Sequence, residues 1–154
     1  MQRAGKSEDS KDINITADGG IVKTILKEGS GEPIPAGMLA KVHYVGKLLN
    51  GTEFDSSRRR NSPFQFTVGA REVILGWDKG VATMKKGEVC VLKCGPDYAY
   101  GSSGTGPIPP NATLSFEVEL LDWEEPSAVS KYFKIILFAL IALAMYLAMN
   151  KSTK

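Results

Sequence analysis

The chain has 154 residues, a length that suits one domain with extensions. Its formal net charge of +2 is too small to indicate nucleic acid or a strongly acidic partner. Hydrophobic residues make up 43% of the sequence and are concentrated near the C-terminus, so the rest of the chain is comparatively polar.

Residues 1–18 are rich in charged and small polar side chains and contain few apolar ones. This composition predicts a disordered tail. The alternative is a regulatory tail that is phosphorylated at Ser7 or Ser10. The segment has no apolar central region, so we expect no signal peptide and no secretion by that route.

The segment 19–123 has the alternating patterns of strands, separated by turn residues. The pair Asn50-Gly51 predicts a two-residue hairpin turn, because both residues tolerate a positive φ. In 113–121, apolar and polar side chains alternate, which is typical of an antiparallel strand with one face in water. Strands are predicted at 21–26, 39–49, 64–68, 88–94 and 113–121.

One segment, 74–84, has the period of a helix instead. Trp77, Val81 and Met84 lie four and three residues apart, on one face of a helix. A sheet with one apolar face needs a cover, which this short amphipathic helix supplies. We therefore expect an α+β domain.

The two cysteines, Cys90 and Cys94, lie in one predicted strand and point to the same face. Four residues of strand place them roughly 13 Å apart, and a disulfide needs Cα atoms within about 7 Å. We expect both to be reduced core residues, which fits a cytosolic domain.

The C-terminal part is predicted to be a linker at 124–131, a transmembrane helix at 132–150 and a short polar tail at 151–154. The stretch 135–149 carries no charge. Eighteen helical residues span about 27 Å, close to the hydrocarbon thickness of a thin bilayer. The alternative is a buried core helix, which would need apolar partners that a small domain does not offer.

This arrangement predicts a single-pass tail anchor with the domain in the cytosol. At most four residues follow the span, so it leaves the ribosome only when synthesis ends. A short, moderately apolar span with lysines on both sides suits the endoplasmic reticulum or the mitochondrial outer membrane. We expect the former.

Metal binding and nucleophilic catalysis find no support in the sequence. His43 is the single histidine, and no G-x-S-x-G motif is present. Gly101, Gly104 and Gly106 form a glycine-rich loop, but no lysine follows it as in a P-loop. We expect His43 to be structural, and we expect no metal, no cofactor and no nucleic-acid partner.

Aromatic residues recur in specific contexts along the domain. A hydrophobic core is the simpler interpretation. However, a core does not need tyrosine hydroxyls such as that of Tyr100, and Asp55 directly follows Phe54. The alternative interpretation is an aromatic pocket with polar groups at its edge.

Four runs of the sequence resemble the FK506-binding protein family (FKBP) of peptidyl-prolyl isomerases. They include V-H-Y-V-G-K-L-L-N-G-T-E-F-D from Val42 onward and G-P-D-Y-A-Y-G at 95–101. The runs follow the order of the family and cover nearly all of 19–123: 42–66, 69–88, 95–101 and 108–121. The resemblance implies a twisted antiparallel sheet wrapped around one short helix, which agrees with the periodicity.

The resemblance also implies which residues form a ligand pocket. Its indole floor falls on Trp77. Its edge falls on Ile74, whose amide is a ligand donor in the family, on Val73, and on Glu72, whose backbone carbonyl contacts ligands. The aromatic walls fall on four residues: Tyr44, Phe54, Phe64 and Phe116.

Polar groups of the family's pocket match here as well. Asp55 matches its carboxylate, Arg60 the arginine beside it, and Tyr100 the tyrosine whose hydroxyl binds a ligand or substrate carbonyl. Ile108 matches an apolar residue of the overhanging loop, whose part at 102–107 is one residue shorter than in the best-known single-domain members. The residues expected to carry catalysis are Phe54, Asp55, Trp77 and Tyr100.

The activity implied by the resemblance is cis-trans isomerisation of X-Pro bonds without a cofactor. The implied partners are proline-containing peptides or proteins and macrolide immunosuppressants of the tacrolimus type. The alternative is a membrane-anchored binding module that uses the same pocket with little turnover.

Overall fold

The structure is a computed structural model that describes residues 11–151, except for the side chains of residues 130 and 131. The chain divides into two units between Glu124 and Glu125, and each is described by itself. The elements in chain order are β1 (Asp12–Asn14), β2 (Ile21–Lys27), β3 (Ser30–Pro33), β4 (Leu39–Leu48), β5 (Glu53–Ser56), β6 (Phe64–Thr67), α1 (Leu75–Val81), β7 (Lys85–Lys86), β8 (Val89–Cys94), a 3-10 helix (Pro96–Tyr98), β9 (Leu114–Glu124) and α2 (Ala128–Lys151).

The first unit is built on an antiparallel sheet in the order β1-β2-β8-β9-β4-β5, with β6 also paired to β4. Strands β3 and β7 form a separate pair. The sheet wraps around α1, so the predicted α+β fold is confirmed.

The sheet and the helix pack together through the apolar faces that the sequence predicts. Apolar residues of β9 are at most 4% exposed and alternate with polar ones: Leu114, Phe116, Val118 and Leu120. Trp77, Val81 and Met84 are equally buried, as their helical spacing predicts. The core therefore lies between one face of the sheet and α1.

The prediction for Asn50-Gly51 is wrong in its turn type. Strand β4 ends at Leu48, whose carbonyl accepts the N–H of Gly51 at 2.9 Å, while the N–H of Leu48 donates to Thr52 at 2.9 Å. Only Gly51 has a positive φ, of 88°. The hairpin thus has a three-residue loop that ends in a left-handed glycine, which is the next most common class.

Part of the segment predicted to be disordered is a strand. Residues 12–14 form β1, and Thr24 of β2 donates a hydrogen bond to Asp12 at 2.6 Å. The composition of the segment did not reveal this, because the pairing depends on a strand edge supplied by β2. Residues 15–18 of the predicted tail form a hydrogen-bonded turn, while residues 1–10 lie outside the described residues, as do residues 152–154 of the predicted polar tail 151–154.

The two cysteines of β8, Cys90 and Cys94, are free and fully buried, as predicted. Burial raises the pKa of each thiol to about 12. The sulfur of Cys90 lies 3.7 Å from that of Met84. Both side chains therefore act as core residues and are poor nucleophiles.

The second unit is the helix α2, which begins at Ala128, four residues before the predicted transmembrane segment. Its part Tyr132–Lys151 has a mean hydropathy of 2.2. By length and composition this segment is able to cross a membrane.

Candidate active site

An open cleft with a volume of about 190 Å³ lies between the sheet and the start of α1. Strand β4 lies between β9 and β5 and also pairs with β6, so one strand brings side chains from three neighbours together. The cleft is lined by Tyr44, Phe54, Asp55, Phe64, Glu72, Val73, Ile74, Trp77, Tyr100 and Phe116.

The floor of the cleft is Trp77, which is 4% exposed. The ring of Tyr44 meets the indole edge-on, with centroids 4.8 Å apart, and Phe116 does so at 5.4 Å. The indole Nε1 is buried without a hydrogen-bond partner among the described residues. Buried unpaired donors are uncommon in folded proteins, which sets this indole apart from an ordinary core side chain.

The walls are aromatic rings that contact one another edge-on. Phe54 and Phe116 lie 5.7 Å apart across Gly46, which pairs with a residue of β5 on one side and with Phe116 on the other. A Cβ at Gly46 would lie 2.7 Å from the Phe54 ring, so this contact needs a glycine. Phe64 is 36% exposed, because it faces the open side of the cleft rather than the core alone.

A polar cluster closes one side of the cleft. The hydroxyl of Tyr44 donates to Asp55, and Arg60 forms an ion pair with the same carboxylate. Arg60 also donates to the Tyr44 hydroxyl at 3.0 Å and lies over the Tyr44 ring, 5.8 Å from its centroid. Each member of the cluster therefore contacts the other two.

These contacts fix the charges of the cluster. Partial burial raises the pKa of Asp55, but the hydrogen bonds from Tyr44 and Arg60 outweigh it, so the net pKa lies below the ordinary value. Burial and the hydrogen bond to Asp55 raise the pKa of Tyr44. At neutral pH the cluster thus holds a carboxylate, a neutral phenol and a guanidinium.

A family model for the FKBP-type peptidyl-prolyl cis-trans isomerase matches residues 31–121, the span that contains every lining residue of the cleft. The chain belongs to this family. The resemblance inferred from the sequence is confirmed.

Known proteins resemble this FKBP-type domain closely. FK506-binding protein 1 of Dictyostelium discoideum is 55% identical over 106 residues, which cover 68% of this chain and 99% of that protein. FK506-binding protein 59 of Drosophila melanogaster is 54% identical over 114 residues, or 73% of this chain but 26% of that protein. The chain therefore spans about a quarter of the length of some of its relatives.

The fold is also found among solved structures. The crystal structure of the three FKBP domains of wheat FKBP73 superposes with a TM-score of 0.69 at 37% identity. The match covers 75% of this chain and 51% of the wheat chain. The FKBP-type fold is thus shared with a solved structure.

Two of the residues expected at the site lie outside the lining of the cleft. Arg60 reaches the site through its contacts with Asp55 and Tyr44. Ile108 is 6% exposed and packs in the hydrophobic core. Its backbone pairs with Thr105, with Ile108 N–H donating to Thr105 at 2.7 Å, so the loop is a closed turn.

Sequence reasoning missed Asp78, which supports the edge of the FKBP cleft. This carboxylate is 9% exposed and accepts the N–H groups of Gly69 at 3.0 Å and Arg71 at 2.9 Å. It thereby holds the segment that leads to Val73 and Ile74. An acidic residue directly after Trp77, on a short helix with a buried face, was the available signal.

Ser57 was missed as well. It is fully buried, and its hydroxyl oxygen accepts the N–H of Tyr44 at 2.8 Å and lies 2.9 Å from the His43 ring nitrogen Nδ1. This contact anchors the turn after β5 that carries Arg60. His43 has the structural role that was expected of it.

Proposed function

We propose that this domain catalyses cis-trans isomerisation of X-Pro bonds in the cleft and that α2 tethers it to a membrane. The observation that carries the proposal is the combination of an aromatic cleft with one ionised, hydrogen-bonded carboxylate at its side. Proline-containing segments of proteins and tacrolimus-type macrolides are the proposed ligands.

The chemistry needs no nucleophile. Resonance holds the peptide bond planar with a barrier of about 18–20 kcal/mol, and an unaided X-Pro bond crosses it in tens of seconds or longer. At the twisted transition state the carbonyl loses negative charge and the amide is less polar. Water favours the planar form, so transfer from water to an apolar cleft lowers the barrier.

The lining residues have different roles in this reaction. Trp77, Phe54 and Phe116 enclose the proline ring in apolar surface. Asp55 acts electrostatically on the rotating carbonyl, and Tyr100, together with the amide of Ile74, holds neighbouring carbonyls in a turn. None of these roles requires a proton to leave the protein.

The experiment is an isomerisation assay on an Ala-Leu-Pro-Phe peptide, with the full chain in mild detergent. We expect the observed isomerisation rate to exceed the uncatalysed rate, to rise in proportion to the protein concentration, and to be inhibited by tacrolimus. If tacrolimus binds and no rate above background is seen, the protein is a binding module with the same cleft. If neither binding nor turnover is found, the proposal is wrong.

The rate should not depend on pH between about pH 5 and 9. The pKa of Asp55 lies below the usual value of about 3.9 and that of Tyr44 above about 10, so neither group changes its charge in this range. The contribution of Asp55 to folding stability is also constant in this range. It is fully present above the pKa that Asp55 has in the unfolded chain, and it is lost only as the pH falls through the lower pKa of the folded state. Exchange spectroscopy by NMR, which needs no coupling protease, measures this profile. A midpoint inside the range would contradict a site of fixed charges.

The membrane tether rests on the segment Tyr132–Lys151, which is long and apolar enough to cross a membrane and is charged only at Lys134 and Lys151. We expect the protein to remain in the membrane after carbonate extraction and a variant lacking 125–154 to be soluble. Release of the full chain by carbonate would argue against a spanning helix. We infer the endoplasmic reticulum as the membrane, with the domain on the cytosolic side, where two free cysteines are stable.

The sequence contains its own reporters for that topology. Asn50 and Asn111 lie in Asn-x-Thr sequons, and both are exposed. A cytosolic domain leaves both without glycan, whereas a sequon added about 15 residues after Lys154 should be glycosylated in the lumen. Glycan on Asn50 or Asn111 would show that the domain lies in the lumen, opposite to the proposed topology. Absence of glycan on Asn50, Asn111 and the added sequon would favour the mitochondrial outer membrane.

A further inference from the structure

The segment before β2 carries a hydrogen-bonded turn centred on Asp18. Its Oδ1 accepts the Thr16 hydroxyl at 2.6 Å and the N–H of Gly20 at 2.9 Å. Its Oδ2 accepts the hydroxyl of Tyr98 at 2.6 Å, across 80 positions of sequence. The hydrogen bonds from Thr16 and Tyr98 lower the pKa of Asp18 to about 2, so the carboxylate is charged at every pH of interest.

A second contact joins the same two segments. The carbonyl of Gly20 accepts the N–H of Gly95 at 2.8 Å. The ring of Tyr98 lies directly against Gly20, since a Cβ there would come within 2.1 Å of it. The segment 18–20 therefore holds the 3-10 helix at Gly95, the residue before it, and at Tyr98, its last residue.

Tyr100 follows two residues later and belongs to the same rigid loop. Gly101 N–H donates to the Pro96 carbonyl at 2.9 Å, and Gly104 N–H donates to the Tyr100 carbonyl at 3.2 Å. The backbone on both sides of Tyr100 is therefore tied to the helix that Asp18 holds. The Tyr100 side chain lines the cleft and is 42% exposed, and this backbone sets the position of its Cα and the direction of its Cα–Cβ bond.

We propose that Asp18 and Tyr98 are positioning residues for Tyr100: their contact fixes the loop 95–101 so that the Tyr100 hydroxyl faces the carbonyl of the bound substrate. This proposal rests on the proposed function, in which Tyr100 binds that carbonyl. It assigns a part in the active site to the N-terminal segment, which otherwise resembles an extension at the edge of the sheet.

The test is the variant Tyr98→Phe, which removes the hydroxyl and keeps the ring against Gly20. A hydrogen bond to a charged group is lost, and kcat/KM should fall by about 5- to 10-fold. The loss should come from KM, because Tyr100 holds the substrate in the ground state and the transition state alike. Asp18→Ala should behave in the same way.

The matched control is Thr24→Val. It removes a 2.6 Å hydrogen bond between Asp12 and the sheet, in the same N-terminal region, without touching the loop. We expect its KM to stay within about twofold of the wild type, as for an exposed hydrogen bond remote from the cleft.

A double-mutant cycle separates positioning from mere stability. If Tyr98 acts through Tyr100, Tyr98→Phe should have less than a twofold effect in a Tyr100→Phe background. Effects that multiply, or an unchanged KM in Tyr98→Phe, would overturn the proposal even if the thermal stability falls. Should the wild type show no isomerase rate, the proposed function fails by itself, and the same cycle measured as tacrolimus Kd by calorimetry still decides the positioning role.

Discussion

A Lys23→Met variant should lose about 3–5 kcal/mol of its free energy of unfolding, the usual cost of removing one partner from a buried ion pair. Lys23 Nζ lies 3.0 Å from Glu88 Oε2, and the two side chains are 5% and 2% exposed. Lys23 also donates to the Thr83 carbonyl at 3.2 Å. Without the lysine, the Glu88 carboxyl is left in the core without its ion-pair partner.

The control is the double variant Lys23→Met/Glu88→Leu, which removes both charges. Replacement of a buried pair by apolar side chains is often neutral or stabilising, so we expect a stability within about 1 kcal/mol of the wild type. Urea denaturation of residues 1–124 measures both. The Dictyostelium relative, 99% of which is matched by this domain, indicates that the unit folds alone. A cost below about 1 kcal/mol for Lys23→Met would show that water reaches Glu88.

Trp77→Leu should weaken tacrolimus binding by about 30- to 150-fold. The indole provides the floor of the cleft and edge contacts to two rings, and loss of such a surface costs about 2–3 kcal/mol. We expect kcat/KM for the proline peptide to fall to a similar extent. Calorimetry is the appropriate measurement, because the variant lacks the fluorophore that reports on the cleft.

Trp77→Phe is the matched variant, since it retains an aromatic floor of smaller area. Its affinity should lie between those of the wild type and Trp77→Leu. Equal affinity in all three proteins would show that the ligand does not contact this residue. A circular dichroism melt of each variant distinguishes lost contact from lost folding.

Much of the fold followed from local patterns. The alternation in β9 and the helical spacing of Trp77, Val81 and Met84 predicted which side chains are buried, because burial on one face imposes that period. The same patterns could not separate a core from a cleft. The pattern at Phe64 suits a core residue or a cleft residue, and it was the resemblance to the FKBP family that predicted a cleft.

What sequence reasoning missed depends on contacts between distant residues. Asp18 and Tyr98 are 80 positions apart, and no local sequence pattern around either residue indicates that they form a hydrogen bond. Asp12 gains its partner only once β2 is in place. The predicted loop of the hairpin after Leu48 was wrong for a different reason. Asn50-Gly51 suits two turn classes, and here the loop begins one residue earlier, with a positive φ at Gly51 alone.

The cluster of Asp55, Tyr44 and Arg60 has a consequence for the direction of catalysis. Its carboxylate, its guanidinium and its neutral phenol are held by mutual hydrogen bonds, so the site is the same before and after each turnover. Such a site lowers one barrier equally from both sides and leaves the ratio of free cis and trans forms as it was. The client protein then supplies the direction. Whichever isomer is consumed by its next folding step determines which way the reaction runs.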